Sequence, residues 1–188
     1  MLCDACGAIQ SPRAGADKLA LLGLPRRFAV DAGELDRRFR ELSRRLHPDR
    51  FVKASPAERL VSLQAATALN DAYRTIKSPV ARAEHLLELE GSGLAGNSAP
   101  TDPGLLAEML EVRETLADAR RTGGTETVES IVADMKERRQ RALTAIGRAF
   151  ARHDEEQGDR RILDEVRVSL VALRYYERVL AEADQEDS

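Results

Sequence analysis

The chain reads as all-α: a helical hairpin with short companion helices, then a linker and a C-terminal three-helix bundle. Three observations predict this. Apolar residues recur at helical spacing through most of the length, and no window alternates β-branched residues between turn signals. Charged residues make up 32% of 188 positions, which suits amphipathic helices with solvated outer faces. Breaks rich in Gly, Ser and Pro fall where one helical pattern stops and the next begins. Trp is absent and aromatics are only 4%, so Leu, Ala and Val must build the cores.

Asp17 to Leu24 predicts a short helix with Leu19, Leu22 and Leu24 apolar, ended by Gly23 and Pro25. Residues 31–46 predict the next, with Asp31 as N-cap and Glu34 three positions on, as in a capping box. On a helical wheel Leu35, Phe39, Leu42 and Leu46 fall within roughly 60° of one another and form a core stripe. Arg37, Arg40 and Arg44 align about opposite that stripe. Arg38 and Arg45 fill one flank, while Asp36 and Glu41 interrupt the basic surface.

His47-Pro48-Asp49 comes next. Proline removes a backbone donor and pushes the preceding residue out of the α region, so the helix stops at Leu46. His47 and Asp49 are thereby expected on a rigid, exposed tip within a loop over 47–55. Pro56 opens a helix to about Lys77, whose buried side is expected to be Leu60, Leu63, Ala66, Leu69, Tyr73 and Ile76. Pro79 opens another to about Glu90. Residues 91–104 read as a linker. Helices over about 104–121, 125–155 and 159–184 complete the pattern, with turns at Gly123-Gly124 and Gly158-Asp159. Their short loops predict an antiparallel bundle.

Several function classes are excluded by composition. A formal net charge of −3 and few aromatics argue against a nucleic-acid binder. The three His are far apart and offer no helical-spaced pair for a catalytic metal. His85 and His153 read as ordinary polar or half-buried side chains. No apolar run is long enough to span a bilayer and no signal peptide is recognised, so a cytoplasmic location without a membrane partner is expected. No Ser or Cys nucleophile stands in a catalytic motif, and the chain is not expected to be an enzyme.

A second informative place is 105–118. Leu105, Met109, Val112 and Leu116 share the side of a helix that packs into the bundle. Leu106 and Leu110 lie on a flank roughly 90–130° away, beside a carboxylate row of Glu111, Glu114 and Asp118. Two readings are open: a small apolar docking patch edged with negative charge, or leucines that complete a wide core face.

The His47-Pro48-Asp49 tip, its flanking helices and its Arg-rich approach resemble the J-domain, the module that stimulates ATP hydrolysis by DnaK-type chaperones. Ala20-Leu21-Leu22-Gly23-Leu24-Pro25, the tripeptide, Ala68-Leu69-Asn70-Asp71-Ala72-Tyr73, Pro79 through Leu89, and Leu110-Glu111-Val112-Arg113-Glu114 occur in the order seen in the HscB family. That likeness runs from about residue 16 to 182. It implies a J-domain over 16–90 and, over 105–184, a three-helix bundle that holds the iron–sulfur cluster scaffold IscU. It further implies that a DnaK/HscA-type chaperone meets His47, Pro48, Asp49, Arg37, Arg40, Arg44 and Arg45. The scaffold would meet Leu106, Leu110, Glu111, Glu114, Asp118 and Tyr175. Ala107 and Asp118 are smaller than the residues familiar at those positions. The alternative is a J-domain co-chaperone for a different or general client, distinguishable by what copurifies.

Residues 1–15 read as a tail carrying one C-x-x-C, Cys3-Asp4-Ala5-Cys6. A closed structural zinc site needs four ligands and this pair provides two. Some HscB-like proteins, the mitochondrial ones among them, carry two such pairs ahead of the J-domain, and Cys3 through Pro12 resemble the second pair and the residues just after it. One expectation is that the chain begins inside such a module. A tail with two free thiols, and a dimer sharing one zinc between two chains, are the other readings. No cofactor is expected to be required, and zinc at Cys3 and Cys6 is the one metal these readings leave open.

Overall fold

Caps and prolines set the helix boundaries. The computed structural model describes residues 9–11, 15–93, 102–156 and 159–184. Among these the regular structure is α-helix and one 3-10 turn, without a strand, as the periodicity predicts. The chain divides into two compact units, with the boundary after Leu89.

In the first unit α1 is Lys18–Leu21, with Asp17 as its N-cap accepting from the Leu19 and Ala20 amides. Its C-terminal side is shorter than the leucines suggest, because Leu22 already leaves the helix and Gly23 turns left-handed at φ 68°. Helix α2 is Ala32–Leu46, and the Asp31 carboxylate accepts from the Glu34 amide at 2.7 Å. The expected capping box is only half made. The Glu34 carboxylate turns instead to Arg37 and to Arg38, the latter at 2.7 Å. Helix α3 is Pro56–Lys77 and has the complete box, reciprocal between Ser55 and Glu58, that the periodicity alone does not reveal. Helix α4, Pro79–Leu89, begins after Ser78, which proline holds extended at ψ 118°.

Helices α2 and α3 form the hairpin, and α1 and α4 both pack on α3. Leu35, Leu46, Leu69, Ala72 and Ile76 are buried between them. Phe39 stacks on Tyr73 with ring centroids 4.0 Å apart, and the Tyr73 hydroxyl donates to Asp36 at 2.8 Å. The expected face of α3 needs correction. Leu60 and Leu63 are each 56% exposed, and the buried series is Ser62, Ala65, Leu69, Ala72 and Ile76. On a wheel Leu60 and Leu63 fall roughly opposite that series. Small residues at 62, 65 and 72 face the core, and apolar character alone does not place the two leucines there.

In the second unit α5 is Pro103–Thr122, α6 Thr125–Glu155 and α7 Arg160–Asp184. The proposed linker 91–104 therefore ends early: Asp102 caps α5, and Pro103 and Gly104 are already helical. Proline is pre-set for the first helical turn, so it opens α5 where a linker was expected to continue. Gly123 ends α5 at φ 74°, with the Gly124 amide reaching back to the Ala119 carbonyl at 2.7 Å. The long α6–α7 pair buries Ile146, Phe150, Leu163, Val166, Leu170 and Leu173. Helix α5 packs onto both through Met109, Leu116, Met135, Val179 and Ala183. Arg138 ties α6 to Glu108 of α5 at 2.6 Å, and Arg113 ties α5 to Glu182 of α7 at 2.7 Å.

Candidate functional site

Each unit carries one exposed feature with functional chemistry. In the first, His47 ends α2 in an extended conformation, φ −59° and ψ 130°, as the following proline requires. Pro48–Phe51 is then a turn of 3-10 helix, where a loop over 47–55 was expected. The His47 ring caps that turn, its Nδ1 accepting from the Asp49 amide at 3.3 Å. The Asp49 carboxylate lies 3.4 Å from the same nitrogen. The side chains of His47 and Asp49 are 58% and 85% exposed, so the tip is ordered by short local bonds yet open to a partner.

The basic face of α2 is in place with one modification. Arg37, Arg40, Arg44 and Arg45 lie on the solvent side of α2, Arg40, Arg44 and Arg45 toward its C-terminal end. Arg37 already shares the Glu34 carboxylate with Arg38, which holds that carboxyl below its usual range. Arg40 and Arg44 lie back along the helix, donating to the Asp36 and Arg40 carbonyls at 3.1 and 3.3 Å. Arg40, Arg44 and Arg45 have no carboxylate partner among the described residues, so the net positive charge sits at the end of α2 nearest the tip.

In the second unit, Leu106 is 41% and Leu110 57% exposed, while Met109 and Leu116 are at 2% and 3%. The alternative in which these leucines complete the core is thereby removed. Met109 lies beneath them, and Tyr175 and Val179 reach the same place from α7. Together these residues, with Arg113 and Arg178, line a groove of about 290 Å³. Glu111, Glu114 and Asp118 are exposed on α5 but do not line it. Asp118 is paired with Arg121 at 2.8 Å. Periodicity signalled the α5 leucines; it did not bring Arg113, Arg178 and Val179 to attention. Their signal was spacing, Arg178 and Val179 falling three and four residues after Tyr175, on its face of α7.

Cys3 and Cys6 lie outside the described residues. Among the described residues no group of three or more His, Cys, Asp or Glu is arranged to hold a metal. His85 and His153 are both buried, more deeply than expected. Among the described residues no helix is long and apolar enough to cross a membrane.

A helical hairpin whose turn carries an exposed His-Pro-Asp, with arginines along its first helix, is the arrangement that the J-domain resemblance implies. Comparison with known proteins narrows the class. Residues 101–184 match the family model described as HSCB C-terminal oligomerisation domain. The chain is 42% identical over 130 residues to the Co-chaperone protein HscB homolog of Ralstonia nicotianae, spanning 68% of this chain and 74% of that one. It is 35% identical over 141 residues to the homolog of Cupriavidus taiwanensis, spanning 74% and 80%. The crystal structure of human co-chaperone protein HscB aligns with a TM-score of 0.84 at 27% identity, covering 99% of this chain and 89% of that one. The chain belongs to the HscB co-chaperone family.

Proposed function

We propose that this chain is the co-chaperone of iron–sulfur cluster assembly that carries an IscU-like scaffold to a DnaK/HscA-type chaperone and stimulates that chaperone's ATPase. The observation that carries the reading is the exposed pair Leu106 and Leu110, set with Tyr175 around one groove in a unit separate from the tip. Apolar side chains left exposed around a cavity suit a docked protein partner. Glu111 and Glu114, exposed on the same helix, add negative charge that orients its approach, with Asp118 following them in its pair with Arg121.

His47, Pro48 and Asp49 engage the ATP-bound chaperone, and the α2 arginines steer an acidic surface toward them. Joining both contacts in one chain raises the effective concentration of scaffold beside its chaperone, so each contact can be weak alone. The chain makes and breaks no covalent bond in this account and needs no cofactor. Cys3 and Cys6 stand outside it, as two of the four ligands that a closed zinc site takes. A cytoplasmic setting, with both partners at hand, fits the same reading.

The full chain, used as bait in a lysate of its own organism, should retain the cluster scaffold and the chaperone. Recovery of a broad set of unfolded clients without the scaffold would favour a general J-protein instead.

A further inference from the structure

The groove is not purely apolar. Two of its seven lining residues are arginines, Arg113 and Arg178. Arg113 is held by α7, its Nε donating to Glu182 at 2.7 Å, which leaves its two terminal nitrogens without a bond among the described residues. Arg178 has no ion-pair partner among the described residues. Elsewhere in the same unit Arg138, Arg139 and Arg152 each have a carboxylate. The negative residues of α5 do not line the groove, and with Arg113 paired to Glu182 the uncompensated positive charge of its lining is that of Arg178.

A partner segment that fills the space beside Leu106, Leu110 and Tyr175 covers these guanidinium groups as it displaces water. A purely apolar segment would strand positive charge in a drier environment, at a cost that opposes docking. A carboxylate removes that cost. The planar guanidinium presents paired donors that match its two oxygens, and exclusion of water strengthens the contact.

We propose that Arg178, supported by Arg113, receives an Asp or Glu side chain of the docked partner, placed next to the apolar residue that enters the groove. This rests on the reading of the groove as the scaffold site and adds the chemistry that the scaffold must bring to it. Selectivity results: a segment with Lys or Arg at that position meets like charge and is rejected.

The test is the affinity of purified scaffold for the full chain and three variants, Arg178→Glu, Arg178→Lys and the Leu106→Ala/Leu110→Ala pair, at low and high salt. Arg178→Glu should weaken binding about tenfold at low salt, with the gap narrowing as salt is raised. Arg178→Lys should retain more affinity than Arg178→Glu, since it keeps the charge and loses only the fork. Wild-type affinity in Arg178→Glu, alongside weakened binding in the leucine pair, overturns the inference and leaves the groove reading intact. Tighter binding by Arg178→Glu would overturn it as well, because the partner group would then be basic. If neither Arg178→Glu nor the leucine pair changes affinity, the groove reading falls and takes the inference with it.

Discussion

The Ser62 hydroxyl donates to the Leu46 carbonyl at 2.9 Å, and both residues are fully buried. Leu46 is the last residue of α2, where carbonyls lack an intrahelical partner. A side chain of α3 therefore satisfies the end of α2 at the position directly before His47. The hairpin is pinned at the base of its tip.

Ser62→Ala should destabilise the first unit by about 1–3 kcal/mol, because it leaves a buried acceptor unsatisfied. Chemical denaturation of the full chain measures this through the transition assigned to that unit. An unchanged transition would mean that the bond contributes nothing to closing the hairpin.

Leu106→Ala together with Leu110→Ala should weaken scaffold binding with little change in unfolding midpoint. A Leu→Ala change in a packed core costs about 2–5 kcal/mol. At solvent-exposed sites substitutions usually cost under about 0.5 kcal/mol. A variant that unfolds readily would place these leucines in the core, against their exposure.

His85 predicts a pH dependence. It is 7% exposed, and its Nε2 accepts from the Lys18 amide at 3.0 Å, which fastens α1 to α4. Burial draws its pKa below the ordinary imidazole value, with nearby Asp17 opposing. A folded pKa below the unfolded one means that stability is fully present above the unfolded value, about 6.5. It is lost as pH falls through the folded value, when the accepting nitrogen becomes a donor facing a donor. The unfolding midpoint of the first unit should drop on acidification from neutral pH, and His85→Gln should reduce the slope. Equal slopes in both proteins would assign the acid sensitivity elsewhere.

The helix boundaries were legible because they are local. Asp31, Pro48, Pro56, Pro79 and Gly123 each act within a turn of their own position, through caps or fixed dihedrals. The tip was legible for the same reason. The face of α3 was not. Leu60 and Leu63 are exposed while Ser62 is buried, since the phase of the helix is set by packing of small residues against α2. The groove was half legible: Leu106 and Leu110 stood out on one helix, but Arg178 joins them from α7. Its signal, a position three residues after Tyr175 on one face of α7, points to the groove only once Tyr175 is placed there. Glu34 shows the limit of local rules too, because two nearby arginines compete with the helix end for its carboxylate.

In the proposed function an exposed tip on one unit acts on the chaperone while the groove on the other holds the scaffold. The two roles separate in the chaperone's steady-state ATP hydrolysis rate with this chain, scaffold present or absent, for wild type, His47→Gln and Asp49→Asn. Wild type should stimulate hydrolysis, and the scaffold should lower the concentration of chain needed. Both variants should lose the stimulation yet bind scaffold as wild type does. Near wild-type stimulation by either variant would mean that the tip does not act on the chaperone.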